Sequence, residues 1–237
     1  MFSAAQKQSL SETVYRQLKS KIVGGELEAG VELPSERELS EQLGVNRGAV
    51  REAIKRLQQA GLVAVRQGGN HVVKNYLDEG GLELLPSLLI NAKGRMNASA
   101  VRSVMALRAS LAPDIAAAAA VAGGAKLADE LDGVLERMRA AADDLAQLQQ
   151  LALDYWKLLV NAGGNIAFRL AFNSMNKSYG AAWELLRRVL EPEFRDLDNL
   201  KDLANAVRKR NRERARECAL QHVSIGTRAM DAALKHL

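Results

Sequence analysis

The chain has 237 residues, 48% of them apolar and 26% charged, a balance that belongs to globular rather than disordered proteins. Aromatic residues make up only 4%, so the core must come from Leu, Val, Ile and Ala, which favours helices over sheet. The net charge of +5 is compatible with a nucleic-acid partner, and the single cysteine, Cys218, excludes an internal disulfide and reads as a small buried hydrophobe of a reducing compartment.

The longest unbroken apolar run, 115–122, has eight residues, against about 20 for a bilayer span. The opening residues lack the charged start and apolar centre of a signal peptide. A cytoplasmic protein with no membrane partner is expected. Glycine pairs at 24–25, 68–69, 80–81, 123–124 and 163–164 mark breaks between elements.

In chain order, Ser9 with Glu12 has capping-box spacing, and Leu10, Val14, Leu18 and Ile22 recur every four residues, predicting a helix that ends at Gly24. A second capping box, Ser35 with Glu38, opens a short helix with Leu39 and Leu43 inward and Gly44 as its stop. Asn46 caps a third helix whose Val50, Ile54 and Leu57 face inward before Gly61 ends it. Residues 62–66 and 71–74 are β-prone runs around Gln67-Gly68-Gly69-Asn70, a predicted hairpin. Three helices and a hairpin within 1–76 outline a winged helix-turn-helix. Residues 77–95, with Gly80-Gly81, Pro86 and Gly94, read as a linker carrying a short helix. From 96 to 237 helical periodicity takes over, with helices expected over about 97–122, 125–149, 150–161, 165–190 and 198–235, the first kinked or restarted at Pro113. The fold class is mainly α: an α+β winged module followed by an all-helical domain.

Arg47, Arg51 and Lys55 are spaced by four and share the outer face of the third helix, while Val50, Ile54 and Leu57 take the inner one. A basic helix face after a short helix and turn suits a DNA major groove, where Arg can contact guanine bidentately and Lys neutralises phosphate. A solvated basic face is the alternative reading of those three residues taken alone. Gly48 and Ala49 are small and allow close approach of the backbone.

The string Pro34-Ser35-Glu36-Arg37-Glu38-Leu39, Leu43-Gly44-Val45, Arg47, Val50-Arg51-Glu52-Ala53, Leu57, Gly61-Leu62-Val63 and Gly68 closely resembles the DNA-binding domain of the GntR family of bacterial transcription regulators. The resemblance spans about residues 9–75. It implies a winged helix that binds double-stranded DNA as a homodimer on a palindromic operator. Arg37, Arg47 and Arg51 would contact DNA, with Asn46, Gly48 and Ala49 alongside and the wing tip at Gln67 and Gly68 in the minor groove. Gly48 and Ala49 stand where the family often has polar residues. His71 reads as a hairpin surface residue.

The helical part resembles the FadR-type branch of that family through Asn75-Tyr76, Gly81-Leu82, Leu107-Arg108, Leu153-Asp154-Tyr155, Gly164-Asn165, Asn173-Ser174-Met175 with Tyr179, and His222 with Ser224. Many members of that branch hold a metal through an Asp, a His four residues later and two further His. Here the matching positions are Ala152, Trp156 and the neighbourhood of Leu200, leaving only His222, so no metal and no cofactor is expected. Loss of those ligands is similar to the fatty-acid-responsive members, which implies an anionic effector, a fatty acyl-CoA as first choice, with Arg108, Tyr179 and Ser224 facing the pocket. Arg228 stands where a tryptophan would be expected. Arg108 and Arg228 could pair with an anionic ligand or form helix-helix salt bridges. A small carboxylate such as a sugar acid, or a helical domain serving dimerisation alone, are the alternatives.

The run Arg208-Lys209-Arg210-Asn211-Arg212-Glu213-Arg214-Ala215-Arg216 holds six basic residues, which cover every side of a helix and so read as a solvated helix rather than a second DNA face. Metalloprotease, serine-hydrolase, phosphate-loop and dinucleotide motifs are absent, and the histidines at 71, 222 and 236 are too scattered for acid-base chemistry. A regulator, not an enzyme, is expected.

Overall fold

The computed structural model describes residues 10–66, 70–90, 96–178 and 183–236. They form two compact units, residues 1–95 and 96–237.

In the first unit, α1 (Leu10–Val23) buries Val14, Leu18, Ile22 and Val23, the stripe that four-residue spacing creates on a helix. Leu10, expected in that stripe, is exposed, because the core under α1 begins one turn further on at Val14. Ser9 lies outside the described residues. The Ser35 box closes α2 (Glu36–Leu43) as its spacing predicts: the Glu38 N–H donates to Ser35 Oγ at 3.2 Å and the Ser35 N–H to Glu38 Oε2 at 2.8 Å. Gly44 then reverses the chain at φ 64°, a conformation that a side chain opposes. Asn46 accepts from the Ala49 N–H at 2.9 Å and starts α3 (Arg47–Gln59), which buries Val50, Ala53, Ile54 and Leu57.

The strands β1 (Val63–Val65) and β2 (His71–Val73) pair antiparallel, Val63 opposite Val73, and the Arg66 N–H reaches the Asn70 carbonyl at 2.8 Å. The other edge of β2 is also paired: Gly30 and Leu33 donate to the Val73 and His71 carbonyls at 2.8 and 2.7 Å, and Val73 donates to Val31. This third edge escapes sequence reading because 30–33 is too short to show alternation. In the 77–95 stretch, expected as a linker with one short helix, lie α4 (Tyr76–Glu79), a 3-10 turn at Leu82–Leu84 and α5 (Leu85–Leu89). Leu84 packs into the same core as Ile54, Leu57 and Leu62.

The second unit is helical: α6 (Ala98–Ala122), α7 (Gly124–Ala140), α8 (Leu145–Ala162), α9 (Ile166–Ser178), α10 (Trp183–Val189), α11 (Glu191–Phe194), α12 (Leu197–Arg208) and α13 (Arg212–Ala233). Two boundaries differ from expectation. The break expected near 149–150 falls at 141–144, where Asp144 accepts from the Gln147 N–H and caps α8. The helix expected over 198–235 is two, because Arg210 takes φ 50° and Asn211 caps α13 through the Arg214 N–H. Of the helix expected over 165–190, α9 and α10 are described on either side of 179–182, which lie outside the described residues, and α11 follows Leu190. α6 runs on through Pro113 without a restart.

By length and composition α6 could cross a membrane. Its ionic groups argue for a core helix instead. Arg108 pairs with Glu193 and Asp114 with Arg216, and α6 buries Val104, Met105, Ile115 and four of its alanines from 116 to 120 within the unit.

Candidate nucleic-acid interface and effector cavity

The first site is the outer face of α3. Its capping residue Asn46 and its Arg47, Gly48, Arg51 and Lys55 are exposed, and Ala49 is half-buried. The side chains of Arg47 and Lys55 make no hydrogen bond or ion pair with any described residue. Arg51 is held from α2: its Nε lies 3.1 Å and its Nη2 3.0 Å from Glu36 Oε2. Arg37 pairs with Glu41 one turn on, Nε to Oε1 at 3.0 Å. Pairs this exposed are screened by solvent and contribute little, so both arginines can leave their carboxylates for a phosphate or a base.

Arg56, on the same helix, does different work. It pairs with Glu12 at 2.7 Å and stacks 4.0 Å from the Tyr15 ring, tying α3 to α1. Gln67 and Gly68 lie outside the described residues. A helix with an exposed basic face, with the small residues Gly48 and Ala49 in its first turn and backed by a two-stranded wing, is built to enter a major groove.

The second site is a cavity in the helical unit. It has a volume of about 60 Å³ and opens to the surface. Among the described residues its wall is apolar apart from Arg108, Asn176 and Glu193; Leu111, Ile115, Trp156, Phe172 and Met175 supply much of it. Arg108 on α6 donates Nη1 to Glu193 Oε2 at 2.7 Å and Nη2 to Glu193 Oε1. The Glu193 side chain is 2% exposed. His222 Nε2 stands 3.7 Å from the same carboxylate, and its Nδ1 lies 2.9 Å from Asp196 Oδ2. Burial raises the affinity of Asp196 for its proton, but hydrogen bonds from His222 and Asn199 outweigh it and hold the carboxyl below its usual range.

Of the residues expected at the effector, Arg108 alone is placed in this wall, and its partner is a protein carboxylate. Ser224 donates to the Leu220 carbonyl at 2.6 Å within its own helix and does not line the cavity. Arg228 is exposed and lies outside it. Tyr179 lies outside the described residues. The positions where a metal would be held do not fit one: Ala152 and Trp156 are cavity wall, and Leu200 is fully buried with its carbonyl taken by Tyr155 Oη at 2.6 Å. Among the described residues no three His, Cys, Asp or Glu side chains gather to hold an ion. Glu193 and Asn176 were missed by sequence reasoning. Glu193 follows Pro192 in an expected loop, and nothing local marks a glutamate for burial.

Four of the six basic residues at 208–216 are held within the unit itself. Arg208 pairs with Asp129 and Asp132 at 2.8 and 3.0 Å, Arg214 with Asp202 at 2.8 Å, and Arg216 with Asp114. Arg210 donates to the Val121 carbonyl at 2.9 Å.

A winged helix-turn-helix with an exposed basic third helix, followed by a helical unit with an apolar cavity, defines a ligand-binding type of transcription regulator. Residues 10–73 match the bacterial regulatory proteins of the gntR family and residues 103–224 match the FCD domain. The chain is 33% identical to the HTH-type transcriptional regulator Mce2R of Mycobacterium tuberculosis over 96% of its own length and 94% of that protein. It is 30% identical over 63% of its length to 61% of the fatty acid metabolism regulator protein of Serratia proteamaculans. The solved structure of Lar, which controls the Listeria monocytogenes agr system, covers 98% of this chain and 99% of its own at a TM-score of 0.60 and 17% identity, a likeness of fold. The chain belongs to the GntR family of bacterial transcription regulators, in its FadR-type branch; it is a DNA-binding regulator and not an enzyme.

Proposed function

We propose that this regulator binds a palindromic operator as a homodimer through Arg37, Arg47 and Arg51, and that a small molecule entering the cavity of the helical unit changes its hold on DNA. The exposed face of α3, on which Arg47 and Lys55 have no described partner, is the observation that carries the DNA part. Two such helices related by a two-fold would read half-sites about one helical turn apart.

The apolar cavity favours a ligand-responsive domain over one used for dimerisation alone, since a pure packing module would fill it. An acyl chain suits this wall, and each buried methylene contributes roughly 0.8 kcal/mol. The ligand has to bind the DNA-free arrangement more tightly, by about 5.5 kcal/mol for a shift from mostly bound to mostly free.

Footprinting on the promoter region of its own gene tests the DNA part. Protection of a palindrome is the expected result, and binding without sequence preference at every salt concentration defeats it. Titration of the operator complex with acyl-CoAs of rising chain length tests the effector; release should strengthen with each added pair of methylenes.

A further inference from the structure

Resting on that reading of the cavity, we infer that the effector presents an uncharged end to the inner wall, so that the site selects a neutral amphiphile, an alkyl or aryl body with one hydroxyl or carbonyl, over the carboxylate of the same skeleton.

The charges at the cavity are already spent. Among the described residues Arg108 and Glu193 are the ionic groups of its wall, and they face each other as a two-pronged pair. The glutamate is sealed on its far side by α13, where Gly226 leaves the room its carboxylate fills and where His222 Nε2 approaches to 3.7 Å. His222 in turn is engaged by Asp196, and Asp196 by the Asn199 amide at 2.9 Å. A ligand carboxylate would therefore meet one guanidinium already shared with a buried carboxylate, and a second carboxylate behind it. To take Arg108 it would have to evict Glu193 and leave that charge buried without its cation, which is worse than leaving the pair alone.

The neutral polar groups of the wall are in the opposite condition. The Asn176 amide, on the α9 face that also carries Phe172 and Met175 into the cavity, makes no hydrogen bond with any described residue. The indole Nε1 of Trp156 is buried without a partner among the described residues. An unsatisfied buried donor such as the Trp156 indole is uncommon in native proteins, and a ligand hydroxyl or carbonyl can accept from it and from the half-buried Asn176 amide.

The test is calorimetric binding of 1-decanol, methyl decanoate and decanoate to the full-length protein at pH 7.5, where decanoate is ionised. Decanol and the ester should bind at least fivefold more tightly than decanoate; a smaller ratio, or a preference for the acid, overturns the inference and leaves the cavity as effector site. Glu193→Gln, which removes the carboxylate paired with Arg108, should shift the ratio at least fivefold toward decanoate. An unchanged ratio in a folded variant shows that the preference is only one of hydrophobicity and also overturns it. Asn176→Leu should weaken decanol at least fivefold, and unaltered decanol binding counts against the anchor proposed here. If none of the three compounds binds, or if Ala152→Phe fails to block them, the cavity reading itself falls and takes this inference with it.

Discussion

Gly226 on α13 and Glu193 on α11 occupy one space: a Cβ at position 226 would overlap Oε2 of Glu193, so the missing side chain is what allows a glutamate to lie buried against Arg108 and His222. Gly226→Ala should push the carboxylate off its partners. Overpacking of this kind costs about 1–3 kcal/mol, and in a chain of this size each kcal/mol lowers the Tm by roughly 2–4 °C. Scanning calorimetry should show that fall, while operator affinity measured well below the transition stays within twofold.

Two arginines on α3 should separate DNA binding from stability. Arg47→Ala removes a side chain with no described partner, so the melting temperature should hold while operator affinity drops by about 1–3 kcal/mol if the contact is to a base edge. Arg56→Ala should behave in the opposite sense. It breaks the Glu12 pair and the stacking on Tyr15 that join α3 to α1, so unfolding should shift before specificity does. Anisotropy with operator and scrambled duplexes, beside thermal unfolding of each variant, checks both.

Glu36 lies where it can restrain Arg51, with contacts at 3.0 and 3.1 Å. Replacing it by Gln frees the arginine and removes a negative charge beside the DNA face. Affinity for scrambled DNA should rise by up to about fivefold, the scale of an exposed pair, and the ratio of operator to scrambled binding should fall. An unchanged ratio would show that Arg51 reads no base.

The acid limit of stability should report Asp196. Its carboxyl is depressed below the ordinary 3.8, where burial opposes and His222 and Asn199 favour the ionised form. A depressed folded value means that its contribution is full above 3.8 and is lost as pH falls through the lower folded value. Asp196→Asn should be less stable at neutral pH and should lose stability less steeply below that point. Denaturant unfolding from pH 7 to pH 3 measures both.

Most of the winged helix is legible in the sequence because its signals are local. Ser35 with Glu38, Gly44, Asn46 and Gly61 act within four residues of themselves, and each sits at the end of the element it was expected to bound. The same logic fails where the signal is weak against its surroundings. Asp144 and Asn211 are helix caps, but both lie within periodic stretches that read as continuous, and so two breaks were misplaced or missed. The 30–33 edge of the sheet exists only because β2 offers it a row of hydrogen-bonding groups.

By itself the sequence determined the class of protein, a winged DNA reader followed by a helical domain, and the residues α3 turns outward. Helix period and capping decide those, and both are properties of neighbours along the chain. Only the tertiary structure decided what Arg108 does, because Glu193 is 85 residues away and is buried through a gap at Gly226 that no local pattern announces. An arginine exposed to solvent and one already paired look alike in sequence. The charge left over for a ligand is a sum over side chains that folding alone brings together.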